Sequence, residues 1–222
     1  YPNQMEGIYN KNGRRIDVIN AGVRGYGTDQ SYKLFVTQLR SLKPDLVIFA
    51  ICMNDVFDNI NLPLYTIKEN TLIPVDPKKN WLYISGKINN SLPEFLRERR
   101  LTHFIFSRIA NRDLFSVRPD LEGKDLLIWS IKKAHLQIDH LRRMGETDGF
   151  KVMILAVPYR DNIQEAYSWL EIPGIWFVNA HKDDVWTEQA ETLFFKNDYH
   201  FTKKGNELLA RKVYEAIQQR GF

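Results

Sequence analysis

A chain of 222 residues with 44% hydrophobic content is long enough for one well-buried α/β core and too short for two comfortable domains, and its five Trp, ten Tyr and thirteen Phe exclude a disordered chain. Its formal charge of +4 comes from 31 basic and 27 acidic side chains that are largely interspersed, which suits a solvated surface better than a phosphate-binding face, so no nucleic-acid partner is expected. The one cysteine, Cys52, excludes an internal disulfide framework and a multi-cysteine metal site while leaving the compartment open, and no apolar run approaches the ~20 residues of a membrane span.

The opening "YPNQMEGIYNKNGRR" lacks a signal-peptide apolar stretch, an initiator Met and a leading strand. It reads as the middle of a domain, and upstream residues are expected. "IDVIN" (Ile16 to Asn20) reads as a short strand, followed by the glycine-rich turn "AGVRGYG". A helix is predicted from Thr28, capped by Thr28 or Asp29, with Tyr32, Phe35, Leu39 and Leu42 on one face. "PDLVIFAICMN" (Pro44 to Asn54) is the nearly continuous apolar run of a parallel strand buried on both faces, which completes one β–α–β unit.

From about Val56 to Lys124 the pattern breaks, with five prolines, many Asn and no strong strand. This is read as an insertion in a single domain covering residues 1–222. Within it, Leu92 to Leu114 has helical character and carries Arg97, Arg99, Arg100, Arg108 and Arg112, best read as a solvated face. Regularity returns with a helix from about Asp125 to Met144, whose face is marked by Leu127, Ile131, Ala134 or His135, Ile138 and Leu141. A buried strand follows at Phe150 to Pro158 and a weaker one at Ile175 to Ala180. The last helix starts near Thr202, a good cap, and is expected to bury Leu208, Leu209, Val213 and Ile217.

Strands alternating with helices imply a parallel sheet, and ligands in such sheets bind at the carboxyl ends of the strands. Three sequence elements fall at that edge. In "DYH", Asp198 stands two residues before His200; an Asp close to a His can orient it as a base, although this spacing alone is a weak signal. In "NAGVRGYGTDQ", the N–H of Gly25 or Gly27 can donate to a developing oxyanion because no side chain blocks the approach. In "CMND", Asn54 ends a buried strand with a side-chain amide donor, and Asp55 can brace the loop. Gly22, Gly25 and Gly27 lack the G-x-G-x-x-G spacing, so dinucleotide binding is discounted. His103, His135, His140 and His181 have no partner pattern and are assigned structural or surface roles.

Together and in this order, the three elements resemble the SGNH hydrolases, the GDSL esterase and lipase family. The resemblance implies a three-layer α/β/α, flavodoxin-like fold with a central parallel sheet. It implies His200 as base, Asp198 as its partner, and Gly25 and Asn54 as oxyanion donors, acting on a small-molecule, carbohydrate or lipid ester with no metal or organic cofactor. Two positions depart from the pattern: Cys52 stands where the asparagine block begins with Gly, and Asn197 stands at the more usual place of the Asp. A larger departure is that no serine follows Gly-Asp, so the nucleophile and the first strand are expected upstream of Tyr1. Acyl transfer to a glycan uses the same constellation, and a non-catalytic binding module is the rival of another class.

Overall fold

The computed structural model describes residues 1–61, 63–76, 91, 120–160, 167–196 and 198–222. In chain order the elements are α1 (Pro2–Lys11), α2 (Thr28–Thr37), β1 (Leu46–Ile51), α3 (Asp55–Asn61), β2 (Tyr65–Lys68), β3 (Thr71–Pro74), α4 (Gly123–Asp148), β4 (Lys151–Ala156), β5 (Trp176–Asn179), α5 (Val185–Glu188), α6 (Ala190–Leu193) and α7 (Lys203–Gln219). This is a mixed α/β structure with a central parallel three-stranded sheet flanked by helices. Its contacts divide it into two compact bodies: Tyr1–Arg24, Lys43–Met53 and Met144–Phe222 form one, and Gly25–Leu42 and Asn54–Arg143 form the other.

The first body holds the sheet, in the order β1-β4-β5. Leu46 to Ile51 of β1 pair in parallel with Lys151 to Ala156, and Met153 to Ala156 pair in parallel with Trp176 to Asn179. Because side chains alternate along a strand, Ile48, Met153 and Trp176 fall in one cross-strand row, with Leu155 and Val178 in the next row on that face. These residues pack with Met5 and Tyr9 of α1 and with Leu209, Ala210, Val213 and Ile217 of α7 in one cluster. The α7 residues recur at helical spacing, which gives the helix one apolar stripe. Trp186 is fully buried in the same cluster, and its indole N–H donates to Ala180 O at 2.6 Å, so the buried polar atom is satisfied.

Three sequence expectations for this body change. Ile16 to Asn20 form no strand, because no neighbouring strand is paired with them among the described residues. Their alternation survives nonetheless, with Ile16 and Val18 packed on the core and Ile19 61% exposed. The strand expected over Pro44 to Asn54 is shorter, Leu46–Ile51. On α7, Leu208 is only half-buried and Ala210 takes a core position, while Thr202 is the cap as expected.

In the second body, α2 is capped by Gly27 and not by Thr28 or Asp29; the Gly27 N–H donates to the Gln30 side chain at 3.1 Å. A Cβ at Gly27 would lie 2.9 Å from Asp58 Cβ, so glycine is required by close approach. Tyr32 and Phe35 are buried, but the helix ends at Thr37, and Leu39–Leu42 form a 3-10 turn with Leu42 55% exposed. The region expected to lack strands contains the hairpin β2–β3. Its two-residue turn, Glu69 and Asn70, has φ of 49° and 60°, the type I′ geometry that matches strand twist. The basic stretch Leu92 to Leu114 lies outside the described residues.

Thr28 and Asp29 instead enter a buried polar cluster. Asp29 Oδ2 accepts from Lys133 Nζ at 2.8 Å and from the backbone N–H groups of Leu64 and Tyr65 at 2.7 and 3.1 Å, while Oδ1 accepts from the Gln137 amide at 2.5 Å. Lys133 also donates to the carbonyls of Asn59 and Tyr65. Thr28 donates to Gln137 and accepts from Asn59. Burial lowers the Lys133 ammonium's proton affinity, and Asp29 partly restores it. Each charged group is paired and hydrogen-bonded, the condition under which buried charge is tolerated.

Candidate active site

His200 and Asp198 sit in the loop between α6 and α7, in the first body. An antiparallel bridge joins Phe194 to Phe201, Phe195 N–H donates to His200 O at 3.0 Å, and Asp198 N–H donates to Phe195 O at 3.1 Å. The rings of Phe194 and Phe201 meet at a tilt with centroids 5.0 Å apart, and Trp186 packs edge-on against Phe194 at 6.1 Å and tilted against Phe201 at 5.4 Å, which seats the loop on the core. Thr202 closes it: its hydroxyl accepts from Gly205 N–H, and its N–H donates to Leu193 O at 2.8 Å. A Cβ on Gly205 would overlap the Leu193 carbonyl oxygen, so glycine lets α7 begin this close to α6.

Within the loop, Asp198 Oδ1 receives the His200 Nδ1–H at 2.5 Å and the His200 backbone N–H at 3.1 Å. With Nδ1 as donor, the neutral imidazole carries its lone pair on Nε2. Among the described residues Nε2 has no protein partner, and the His200 side chain is 74% exposed. The hydrogen bond from His200, then that residue's backbone N–H, holds the Asp198 carboxyl below its ordinary value. The carboxylate therefore fixes one tautomer and faces the cation that forms when Nε2 takes a proton. Asn197 lies outside the described residues.

The loop is tied to the carboxyl end of β4, the edge anticipated from the sequence. Tyr199 stacks on Tyr159, three residues beyond β4, with ring centroids 4.4 Å apart and planes 12° apart. Arg160 donates to Phe195 O and pairs with Glu191 of α6 at 2.5 Å. Tyr159 is itself held from behind: its N–H donates to Nδ1 of buried His181 at 3.2 Å, and the Tyr167 hydroxyl donates to Val157 O at 2.6 Å. Sequence reasoning passed over Tyr159 and Tyr199, and gave His181 only a structural or surface role. The available signal was an aromatic residue directly after a strand end and another beside the candidate base.

Gly25 and Asn54 belong to the second body. Gly25 is exposed with φ of 79°, a left-handed conformation that explains glycine there, and a Cβ would meet nothing within 4 Å. Asn54 precedes α3; its carbonyl accepts from the N–H groups of Phe57 and Asp58, and its amide donates to Asp58 Oδ2 at 2.7 Å. An amide has two N–H donors, so Asp58 fixes the plane of the group and leaves one donor over. Asp55 is buried beside it.

Among the described residues no group of three or more His, Cys, Asp or Glu side chains is placed to hold a metal ion, and no helix is long and apolar enough to cross a membrane. A shallow cavity of about 390 Å³ in the first body is lined by Lys182, Asp183, Lys212, Glu215 and Gln219 among others, and by none of the predicted site residues. Asp183 and Lys212 pair with each other there. Comparison with models of protein families, with curated proteins and with solved structures returns no match to this chain.

Proposed function

We propose that the protein is a serine-dependent ester hydrolase of the SGNH type, and the observation that carries this reading is the exposed Asp198–His200 pair with its fixed tautomer. The backbone bond orients the Asp198 carboxylate, and the exposed side-chain hydrogen bond to His200, which adds little to stability, then holds the imidazole in one tautomer. A serine Oγ from residues upstream of Tyr1 attacks the ester carbonyl carbon while His200 Nε2 takes the hydroxyl proton. The tetrahedral intermediate collapses by breaking the bond to the alkoxy oxygen, which leaves with the proton from His200. Water then repeats the sequence on the acyl-serine, and Asp198 faces the imidazolium in both halves. Gly25 N–H and the spare Asn54 amide N–H are assigned as oxyanion donors from their motifs.

The flavodoxin-like order 2-1-3-4-5 accompanies this reading, with β1, β4 and β5 as the last three strands and Ile16 to Asn20 as the second. Two observations support it. β1, β4 and β5 are parallel neighbours in chain order, and Ile16 and Val18 pack on the same core face as Leu46 and Ile48 without being paired to them. A strand between those two segments would carry the nucleophile at its carboxyl end.

The test is a fluorophosphonate probe on the full-length polypeptide. An adduct on a serine upstream of Tyr1, with ester hydrolysis lost in His200→Ala by ~10³-fold or more, is expected. An unlabelled, folded protein would instead indicate a binding module, and acetyl moved to a sugar acceptor in place of free acetate would indicate a transferase.

A further inference from the structure

From the stacked pair beside His200, we infer that Tyr199, backed by Tyr159, is the platform on which a pyranose ring of the substrate lies, so the ester is carried on a sugar. The inference rests on the hydrolase reading only for the position of the ester next to His200. Stacked at 4.4 Å, Tyr159 covers one face of Tyr199, yet Tyr199 remains 52% exposed, so its opposite face is open to solvent. An exposed aromatic face forfeits apolar burial unless something covers it. Its backing is anchored at the main chain, through the Tyr159 N–H bond to buried His181 and the Tyr167 bond to Val157 O, and the stack on Tyr159 holds the Tyr199 ring against that support.

The surroundings select the occupant. An acyl chain needs a concave apolar pocket that removes most of its surface from water. On the exposed loop that carries Tyr199 stand Lys196, Asp198, His200 and the half-exposed ring of Phe195, while Arg160, next to Tyr159, pairs with Glu191. A pyranose ring has an apolar C–H face for the tyrosine and a rim of hydroxyls for those polar neighbours. A flat platform with a charged rim fits it and does not fit a hydrocarbon tail.

Titration of acetylated xylo-oligosaccharide into the full-length protein, followed by NMR or calorimetry, tests this, with glyceryl triacetate as an acyclic ester of similar acyl chemistry. Saturable oligosaccharide binding is expected, with Kd raised roughly 2- to 10-fold in Tyr199→Ala, restored in Tyr199→Phe, and the weaker triacetate binding unchanged. An oligosaccharide Kd unaffected by Tyr199→Ala, no saturable oligosaccharide binding, or equal losses for both esters would overturn it. Fluorophosphonate labelling of the same samples keeps the two readings apart. Labelling without Tyr199-dependent sugar binding sinks the platform alone, and sugar binding without labelling supports the platform while sinking the hydrolase.

Discussion

Lys133 and Asp29 are both fully buried and paired with each other at 2.8 Å. Replacing Lys133 with Met removes three donors at once, leaving the Asp29 carboxylate and the carbonyls of Asn59 and Tyr65 short of a partner. Breaking one side of a buried pair costs about 3–5 kcal/mol, much of it the desolvated charge left behind. Asp29→Asn in the same chain removes that charge. The double variant should therefore lose less than the two singles summed, by roughly 0.5–3 kcal/mol. Urea unfolding of the four proteins measures the coupling; strict additivity would show that the two side chains do not support each other. The cluster was invisible in the sequence for a physical reason. Ser130, Lys133 and Gln137 lie on the buried stripe of α4 beside Ala134 and Ile138, but a polar residue at a core position reads as a surface position until its partners are known. Those partners lie about 70 and 100 residues away along the chain.

At the scale of elements, α7 was the most legible, because Thr202 caps it and Leu209, Val213 and Ile217 mark its face. What its sequence did not reveal was how closely its first turn approaches α6, which depends on Gly205. Gly205→Ala should destabilise the protein by about 1–3 kcal/mol, the usual cost of forcing a methyl group into a packed site. It should also disturb the His200 loop, since Thr202 joins that loop to both helices. Thermal unfolding checks the first effect and the His200 ring signals in NMR check the second. An unchanged spectrum in a destabilised variant would show that the loop is set by Trp186, Phe194 and Phe201 alone. The hairpin β2–β3 shows the opposite case. Its Glu69-Asn70 turn adopts left-handed conformations without glycine, so the usual Asn-Gly signal was absent and the region was read as strandless. For the candidate site, Asp-x-His was legible because it is local in sequence. Tyr159 and Tyr199 were not, because a stack between residues 40 apart leaves no pattern in either segment.

At the scale of the whole molecule the informative feature is the outer edge of β1. The carbonyls of Asp45 and Ile51 accept from Lys151 and Val157 on the β4 side. The N–H and C=O of one strand residue point the same way, and successive residues alternate, so Leu46, Ile48 and Ala50 direct theirs away from β4. Among the described residues no strand pairs with that side. Ile16 to Asn20 alternate like a strand, pack on the same cluster as Leu46 and Ile48 and are unpaired among the described residues, and an open row of backbone groups is what a further parallel strand would fill. Hydrogen exchange distinguishes the possibilities at three amides. In the polypeptide starting at Tyr1, the amides of Leu46, Ile48 and Ala50 should exchange through local opening with little protection, while those of Val47, Phe49 and Ile51 are protected. In a chain extended upstream by the proposed strand, the first three should rise toward the global opening free energy, roughly 5–15 kcal/mol for a domain. Protection that stays low at those three positions in the longer chain would remove the strand from the edge, and with it the place proposed for the nucleophile.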